Sequence, residues 1–423
     1  MCSCFAFPKF AFALRSTDTV GHGDLREDFD SIVRGGLGAI MGSPLTDPQW
    51  EQASLPVSMG GFGLRGAVRH GSAAYLASLS ASLPLVQIMR GRVPPEEPQD
   101  NEDAQEIPQP DALAADMDQV DLPFLPAYED FASKLQVALP MEQALLLPQR
   151  GLSELVDRGA RIAILESASS QREKARLRCL AREGAGDWLT ALPSRALGLH
   201  LRAQEFVMGS KYRLGVAVYP TTGLCPARGC RQEADALGDH SLSCGIGGER
   251  IARHNGVRDA IYQAAQQAGL GPQKEVDGLL PPSVDRPADV FLRGWTSGKD
   301  TCLDVTATNA LQAATVAGCS EDGDFAVNRA VETKLRKYGD RCLAQGLAYV
   351  PMAVDTLGGW HSTALDTISR LSLELARNTG RELGEVRRHL RQRLGVLFLR
   401  DNVAMLHART PSFAPPEVDG AQG

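Results

Sequence analysis

Apolar positions in the second half of the chain recur with a period that changes along the sequence, and each period predicts an element. Val257, Ala260, Ile261, Ala264 and Ala268 follow helical spacing, and Gly269 and Gly271-Pro272 end that helix. Pro287 to Arg293 alternates as a strand does, with Ala288, Val290 and Leu292 on one face and Asp289 and Phe291 on the other. Cys302 to Thr308 alternates too, setting Asp304, Thr306 and Thr308 opposite Leu303, Val305 and Ala307. Asp324 to Gln345 reads as a helix whose apolar face is Val327, Val331, Leu335, Tyr338 and Cys342. An apolar strand over Leu347 to Thr356 and a helix over His361 to Arg377 follow, and a short strand is expected at Lys274 to Val276. This order predicts a small mixed sheet flanked by helices.

The first half is patterned differently. Residues 1–90 carry helical periods interrupted by the turn Gly60-Gly61-Phe62-Gly63. Residues 127–220 read as a helical connector, with a charged helix over Ser169 to Glu183 and helical spacing from Trp188 to Phe206. The fold class expected for the whole is therefore α+β: a helical N-terminal part followed by an α/β core.

Charge divides the chain again. Its formal net charge is −7, yet Val93 to Asp130 holds twelve acids and no Lys or Arg, so the remainder carries +5. With Pro94, Pro95, Pro98, Pro108, Pro110, Pro123 and Pro126 among them, residues 91–126 are expected to form a disordered acidic linker. A mildly basic remainder is compatible with a nucleic-acid partner. There is no run of eighteen apolar residues, so no membrane span is expected. Met1 to Leu14 is apolar but contains Pro8 and Lys9 and lacks a basic n-region, so it is not read as a signal peptide.

Six of the nine cysteines are scattered; the other three are not. Cys225, Cys230, His240 and Cys244, with four, nine and three residues between them, bring three thiolates and one imidazole into residues 221–248. Zinc takes four N/S ligands tetrahedrally, and a complete set points to a structural site. The competing reading is three cysteines that happen to lie near a surface histidine. In a reducing compartment the metal reading outranks a disulfide framework.

Asp289 and Asp304 sit on the polar faces of the two expected strands. Carboxylates on neighbouring strands are how a sheet holds a divalent ion for phosphodiester hydrolysis, and a lysine then stabilises the developing charge. Lys334 lies near the buried side of the following helix, and Lys337 points further out. A solvated strand face is the commoner explanation of such acids.

Taken in order, Gly238-Asp239-His240-Ser241-Leu242-Ser243-Cys244, Gly247-Gly248-Glu249-Arg250-Ile251-Ala252-Arg253-His254-Asn255, Arg286-Pro287-Ala288-Asp289-Val290, Leu303-Asp304-Val305-Thr306 and Lys334-x2-Lys337-Tyr338 match a known pattern. The stretch resembles the C-terminal region of non-LTR retrotransposon proteins, with its Cys-Cys-His-Cys knuckle and restriction-like PD-(D/E)xK endonuclease, over about residues 185 to 410. Pro8-Lys9-Phe10, Leu14-Arg15, Trp50, Leu55-Pro56 and Gly60 to Arg65 resemble the end of the reverse transcriptase and its thumb in the same elements. The paired aspartates of the polymerase motif are absent, so no polymerase activity is expected.

The resemblance implies a nuclease core over 249–378, basic C-terminal helices over 379–410 and a disordered tail over 411–423. It implies a structural zinc on Cys225, Cys230, His240 and Cys244, and Mg²⁺ or Mn²⁺ on Asp289 and Asp304. Lys334 is the implied catalytic lysine, with Lys337 as its substitute. Ala288 separates the usual proline-aspartate pair, and Thr306 stands where a lysine is expected, so a helix lysine takes over, as the family itself shows. Glu275 is a further acid whose spacing compels no role. DNA is the expected partner, element RNA a second, and the nucleus the expected location. Arg253, His254 and Asn255 are expected at the DNA or at the knuckle-to-nuclease junction, the alternative being an Asn N-cap beside a packed imidazole. Arg387, Arg388, Arg391 and Arg393 are expected along phosphates, or else on a solvated helix face. The alternative to an endonuclease is a catalytically inactive, zinc-dependent nucleic-acid-binding module from a decaying element.

Overall fold

The computed structural model describes residues 2–17, 20–89 and 125–411, which divide into two compact units. One comprises Met1–Pro56 and Gly61–Ser167, the other Val57–Gly60 and Ala168–Gly423. The expected linker over 91–126 lies outside the described residues except for Leu125 and Pro126, which open a helix, and the expected tail lies outside them beyond residue 411. The expected connector over 127–220 is divided at Ser167, because its first helices pack with the N-terminal residues. Among the described residues, no helix is long and apolar enough to cross a membrane.

The first unit is helical: α1 Cys2–Ser16, α2 Gly23–Met41, α3 Asp47–Ala53, α4 Ala67–Met89, α5 Leu125–Ala132, α6 Met141–Leu145 and α7 Gln149–Ser167. Helix α4 is central, touching α1, α2, α5, α6 and α7. Leu76 of α4, Phe131 of α5 and Leu152 and Val156 of α7 share one core. The α4 N-terminus leaves amides that need acceptors. The buried Asp30 carboxylate supplies them, taking bonds from Ala67 N (2.6 Å) and Val68 N (3.2 Å). Gly61 is required where it stands, since a Cβ there would lie 2.0 Å from the Leu55 carbonyl oxygen.

The second unit opens with α8 Gln171–Leu180 and α9 Ala203–Leu214. The helical spacing read from Trp188 to Phe206 is overturned: a 3-10 turn ends at Thr190, and Pro193 breaks any continuation. Next come β1 Gly223–Leu224, β2 Glu233–Ala234, α10 Asp239–Ser243 and α11 Glu249–Gln267. Then follow β3 Gln273–Lys274, β4 Val290–Thr296, β5 Lys299–Thr308, α12 Val316–Glu321, α13 Phe325–Lys334, α14 Asp340–Ala344 and β6 Ala348–Asp355. Helices α15 Ser362–Thr379 and α16 Leu383–Ala408 close the unit, so the expected plural C-terminal helices are one long helix.

The sheet runs β3-β4-β5-β6. Pairs β3–β4 and β4–β5 are antiparallel and β5–β6 is parallel, which makes it the mixed sheet expected. One face packs Val290, Leu292, Leu303, Val305, Met352 and Val354 against α11, α15 and α16. On α16 the stripe Val386, Leu390, Leu394 and Phe398 repeats every four residues and is buried there. The other face holds Phe291 and Cys302 with Tyr338 and Cys342, and Ala353 with Val327 and Val331. Ala288 belongs with Phe291 and not with Val290, because regular strand begins only at Val290.

Between α13 and α14 the helix widens into a π turn, Leu335–Gly339. It splits the single apolar face expected over Asp324 to Gln345. Val327 and Val331 meet one part of the sheet, Tyr338 and Cys342 another, and Leu335 is left 43% exposed.

Candidate functional site

The hairpin β1–β2 and the short helix α10 present the four knuckle residues. The Cys225 amide donates to the Gln232 carbonyl (3.0 Å) and the Cys230 amide to the Ala227 carbonyl (2.8 Å), which turns the first pair tightly. Asp235 accepts from the amides of Asp239 (3.1 Å) and His240 (2.8 Å), starting the helix that carries the second pair. The Sγ atoms of Cys225 and Cys244 are 3.9 Å apart, those of Cys230 and Cys244 3.8 Å, and Cys230 Sγ is 3.5 Å from His240 Nε2. Bond lengths of zinc to sulfur and nitrogen imply tetrahedral edges of about 3.8 Å between sulfurs and about 3.6 Å between sulfur and nitrogen. All four ligand atoms lie within 4.8 Å of one another, so the group can hold a metal ion such as zinc. Burial lowers the His240 pKa, favouring the neutral imidazole that a metal needs, and pushes the Cys225 thiol up to about 11. Among the described residues this is the cluster of three or more cysteine, histidine and acidic side chains that closes to such a distance. Asp289 and Asp304 stand as a pair.

The knuckle is fastened to the core. Arg172 of α8 forks onto the Asp239 carboxylate, and Asn309, just past β5, donates to the Asp239 carbonyl (2.9 Å) and to Ser243 (2.5 Å). The Tyr219 hydroxyl reaches the Leu406 carbonyl of α16 (2.6 Å), and Arg409 pairs with Glu249 (2.6 Å) at the start of α11.

Register sets the acids against each other. Val290 pairs with Leu303, and the Asp289 amide donates to the Leu303 carbonyl (2.9 Å), so Asp289 comes opposite Asp304 one step further. Asp289 Oδ2 accepts from the Val305 amide (2.6 Å) and lies 3.0 Å from His254 Nε2. Asp304, 5% exposed, has Lys334 Nζ 2.9 Å from each of its oxygens and accepts a bond from the Tyr349 hydroxyl. The parallel pairing of β5 with β6 sets Tyr349 beside Cys302, on the Asp304 side of the sheet.

These surroundings push the two carboxyls apart. Burial raises the Asp304 carboxyl, opposed by Lys334 and Tyr349, and the facing charge of Asp289 raises it further. Burial works the same way on Asp289, but the bond from His254, the charge of that imidazole and the Val305 amide together hold it below its ordinary value. The bond to Asp289 is in turn what raises the pKa of His254. Beside the pair lies a cleft of about 350 Å³ whose lining includes Gly245, Gly247, Arg250, His254, Thr306 and Lys334. It runs from the loop after the last knuckle cysteine to the helix lysine.

The remaining expected site residues are placed variously. Lys337 is exposed, its Nζ 4.6 Å above the Tyr338 ring, and does not join Lys334 at Asp304. Glu275 stands opposite Asp289, its amide donating to the Asp289 carbonyl (3.3 Å), but its carboxylate is taken up by Arg258 and Arg286. Arg253, also expected at the DNA or at the junction, is 2% exposed, bonded to Asn402 (2.8 Å) and set over the Phe398 ring, so it is engaged within the fold at the buried side of the cleft it helps to line. Asn255 is not an N-cap, because α11 begins at Glu249, and its amide oxygen lies 3.4 Å from His254 Nδ1. Arg387 and Arg388 are exposed on α16. Arg391 is held by Glu183 and Asp187 and Arg393 by Gln263 (2.6 Å), so both are already engaged within the fold. Sequence reasoning passed over Tyr349, Asp235, Asn309 and Arg409. Each acts across a long stretch of chain or through a local cap that periodicity does not mark.

No protein family matches this chain, and no curated protein matches it.

Proposed function

We propose that the second unit is a metal-dependent DNA endonuclease of retrotransposon origin, working in the nucleus, with a structural zinc in its knuckle. The observation that carries this reading is the anchoring of Asp304 by Lys334 and Tyr349 opposite Asp289, at the edge of an open cleft. In this reading Asp289 and Asp304 hold Mg²⁺ or Mn²⁺ between them, directly or through water. Such an ion, when bound, lowers the pKa of a water and neutralises charge on a phosphodiester. Lys334, already at the Asp304 carboxylate, turns its ammonium to the phosphate oxygen on which negative charge grows. The knuckle holds the loop Gly245–Gly248 as one wall of the cleft, where Arg250 and the backbone meet the DNA backbone. Element RNA is a second partner of the same surface. No step of polymerisation is assigned to the chain.

The test is nicking of supercoiled plasmid by the full chain in Mg²⁺ or Mn²⁺, beside Asp304→Ala and Lys334→Ala. Wild-type nicking that Asp304→Ala abolishes, and that Lys334→Ala slows by about 10²-fold or more, is expected. Equal cutting by all three proteins would show a contaminating nuclease. The completeness of the zinc geometry favours a second reading, a nucleic-acid-binding module without catalysis. A wild type that holds zinc and shifts DNA in a gel but never cuts would establish it.

A further inference from the structure

The assignment of Asp289 and Asp304 to a catalytic ion leaves His254 without a role, although its ring is 3.0 Å from Asp289 Oδ2 and lines the same cleft. We infer that His254 Nε2 is itself a ligand of that ion, beside Asp289, and that the site therefore prefers Mn²⁺ to Mg²⁺. The inference rests on the endonuclease reading above.

Three observations carry it. First, an octahedral ion with bonds of about 2.1 Å sets neighbouring ligand atoms about 3.0 Å apart, the separation of Nε2 and Oδ2 here. Second, the imidazole is set in the way metal-ligating histidines are. Its Nδ1 is turned to the Asn255 amide oxygen at 3.4 Å, so an ion that displaces the Nε2 proton now donated to Asp289 finds the other nitrogen already placed to keep its own. Third, His254 is half-buried in the second turn of α11, a 19-residue helix packed on the sheet, so the ring is borne by a rigid element. His254 and Lys334 both line the cleft, so a cation entering it meets the imidazole beside the Asp289–Asp304 pair. An imidazole suits transition metals, whereas Mg²⁺ prefers oxygen ligands and keeps its waters.

The test is metal binding by the zinc-loaded full chain, followed by calorimetry and by EPR of Mn²⁺, without substrate. Wild type is expected to bind Mn²⁺ at least about tenfold more tightly than His254→Ala does. Its pulsed EPR echo is expected to carry the modulation of a directly bound ¹⁴N, lost in that variant. His254→Asp, which keeps a ligand but makes it oxygen, is expected to bind Mg²⁺ again and to lose the nitrogen modulation; retained zinc stoichiometry shows that both variants fold. Unchanged Mn²⁺ affinity in His254→Ala, or no nitrogen modulation in wild type, overturns the inference. Asp289→Ala separates the two levels. If it loses Mn²⁺ while His254→Ala does not, only the histidine ligand fails; if neither loses it, the endonuclease site itself fails.

Discussion

Asp401 sits on α16 with one carboxylate oxygen buried and without a hydrogen-bond partner. Burial raises its pKa to about 6, against the opposing charges of Arg253 and Arg400. A carboxyl whose folded pKa exceeds its unfolded value of about 4 is bound more tightly by a proton in the folded state. The stability it contributes is complete below about pH 4 and is lost as pH rises through about 6. Asp401→Asn, which cannot ionise, is therefore expected to raise Tm by a few degrees at pH 8 and to leave it unchanged at pH 4. Melting curves at the two pH values decide it, and an equal shift at both would remove the ionisation argument. At this scale, residues whose role depends on local pattern were legible. Lys334 lies on the inner side of its helix as its angle predicts, and the four knuckle ligands gather as their spacing predicts. Tyr349 was not legible: it lies in an apolar strand, and only the pairing of β5 with β6 brings it to Asp304. The burial of Arg253 was not legible either: a basic residue near the N-terminal end of a helix looks exposed until α16 is packed over it.

Elements were read well where period and punctuation agree and poorly where they conflict. The strands β4, β5 and β6 and the helix α15 fall within a few residues of their expected bounds, because alternation or helical spacing continues until a turn. Helix α11 starts earlier than its apolar stripe, since its first turns carry Glu249, Arg250 and the exposed Ile251. Those turns follow Cys244 after the four-residue loop Gly245–Gly248, which lines the cleft at Gly245 and Gly247 and so ties the knuckle to it. For a small metal-held module, the free energy of metal binding is free energy of folding. Cys230→Ser is expected to release zinc and to lower the Tm. It is also expected to raise amide exchange from Gly223 through Arg250 while leaving β5 protected. Zinc analysis with hydrogen-exchange mass spectrometry measures this, and one zinc retained per chain would contradict it.

For the molecule as a whole, charge is distributed by segment. Residues 93–124 hold ten acids and no base, so deleting them moves the formal net charge from −7 to +3. Affinity for nucleic acid rises with neutralised phosphates and falls with salt. The deletion is therefore expected to strengthen non-specific DNA binding about tenfold or more at low salt, with the difference shrinking toward 0.2 M. Fluorescence titration with a random duplex reads this directly, and equal affinities at low salt would show that the acids do not oppose DNA binding. The division into two units was legible only in part. Proline and acid content marked a boundary near residue 91, but Phe131, Leu152 and Val156 belong with Leu76, and no local pattern announces which distant helix an apolar face will meet.

The π turn at Leu335–Gly339 has a consequence for ancestry. A turn closed i to i+5 contains one residue more than an α-helical turn. An ancestor or relative lacking one residue between Lys334 and Tyr338 could run straight through as regular helix, still delivering its lysine and its tyrosine to the same two places on the sheet. In an alignment with such a chain the gap would belong within this turn, where Leu335 and Arg336 are both exposed. Loss of one exposed residue there would restore ordinary α-helical closure between the lysine and the tyrosine.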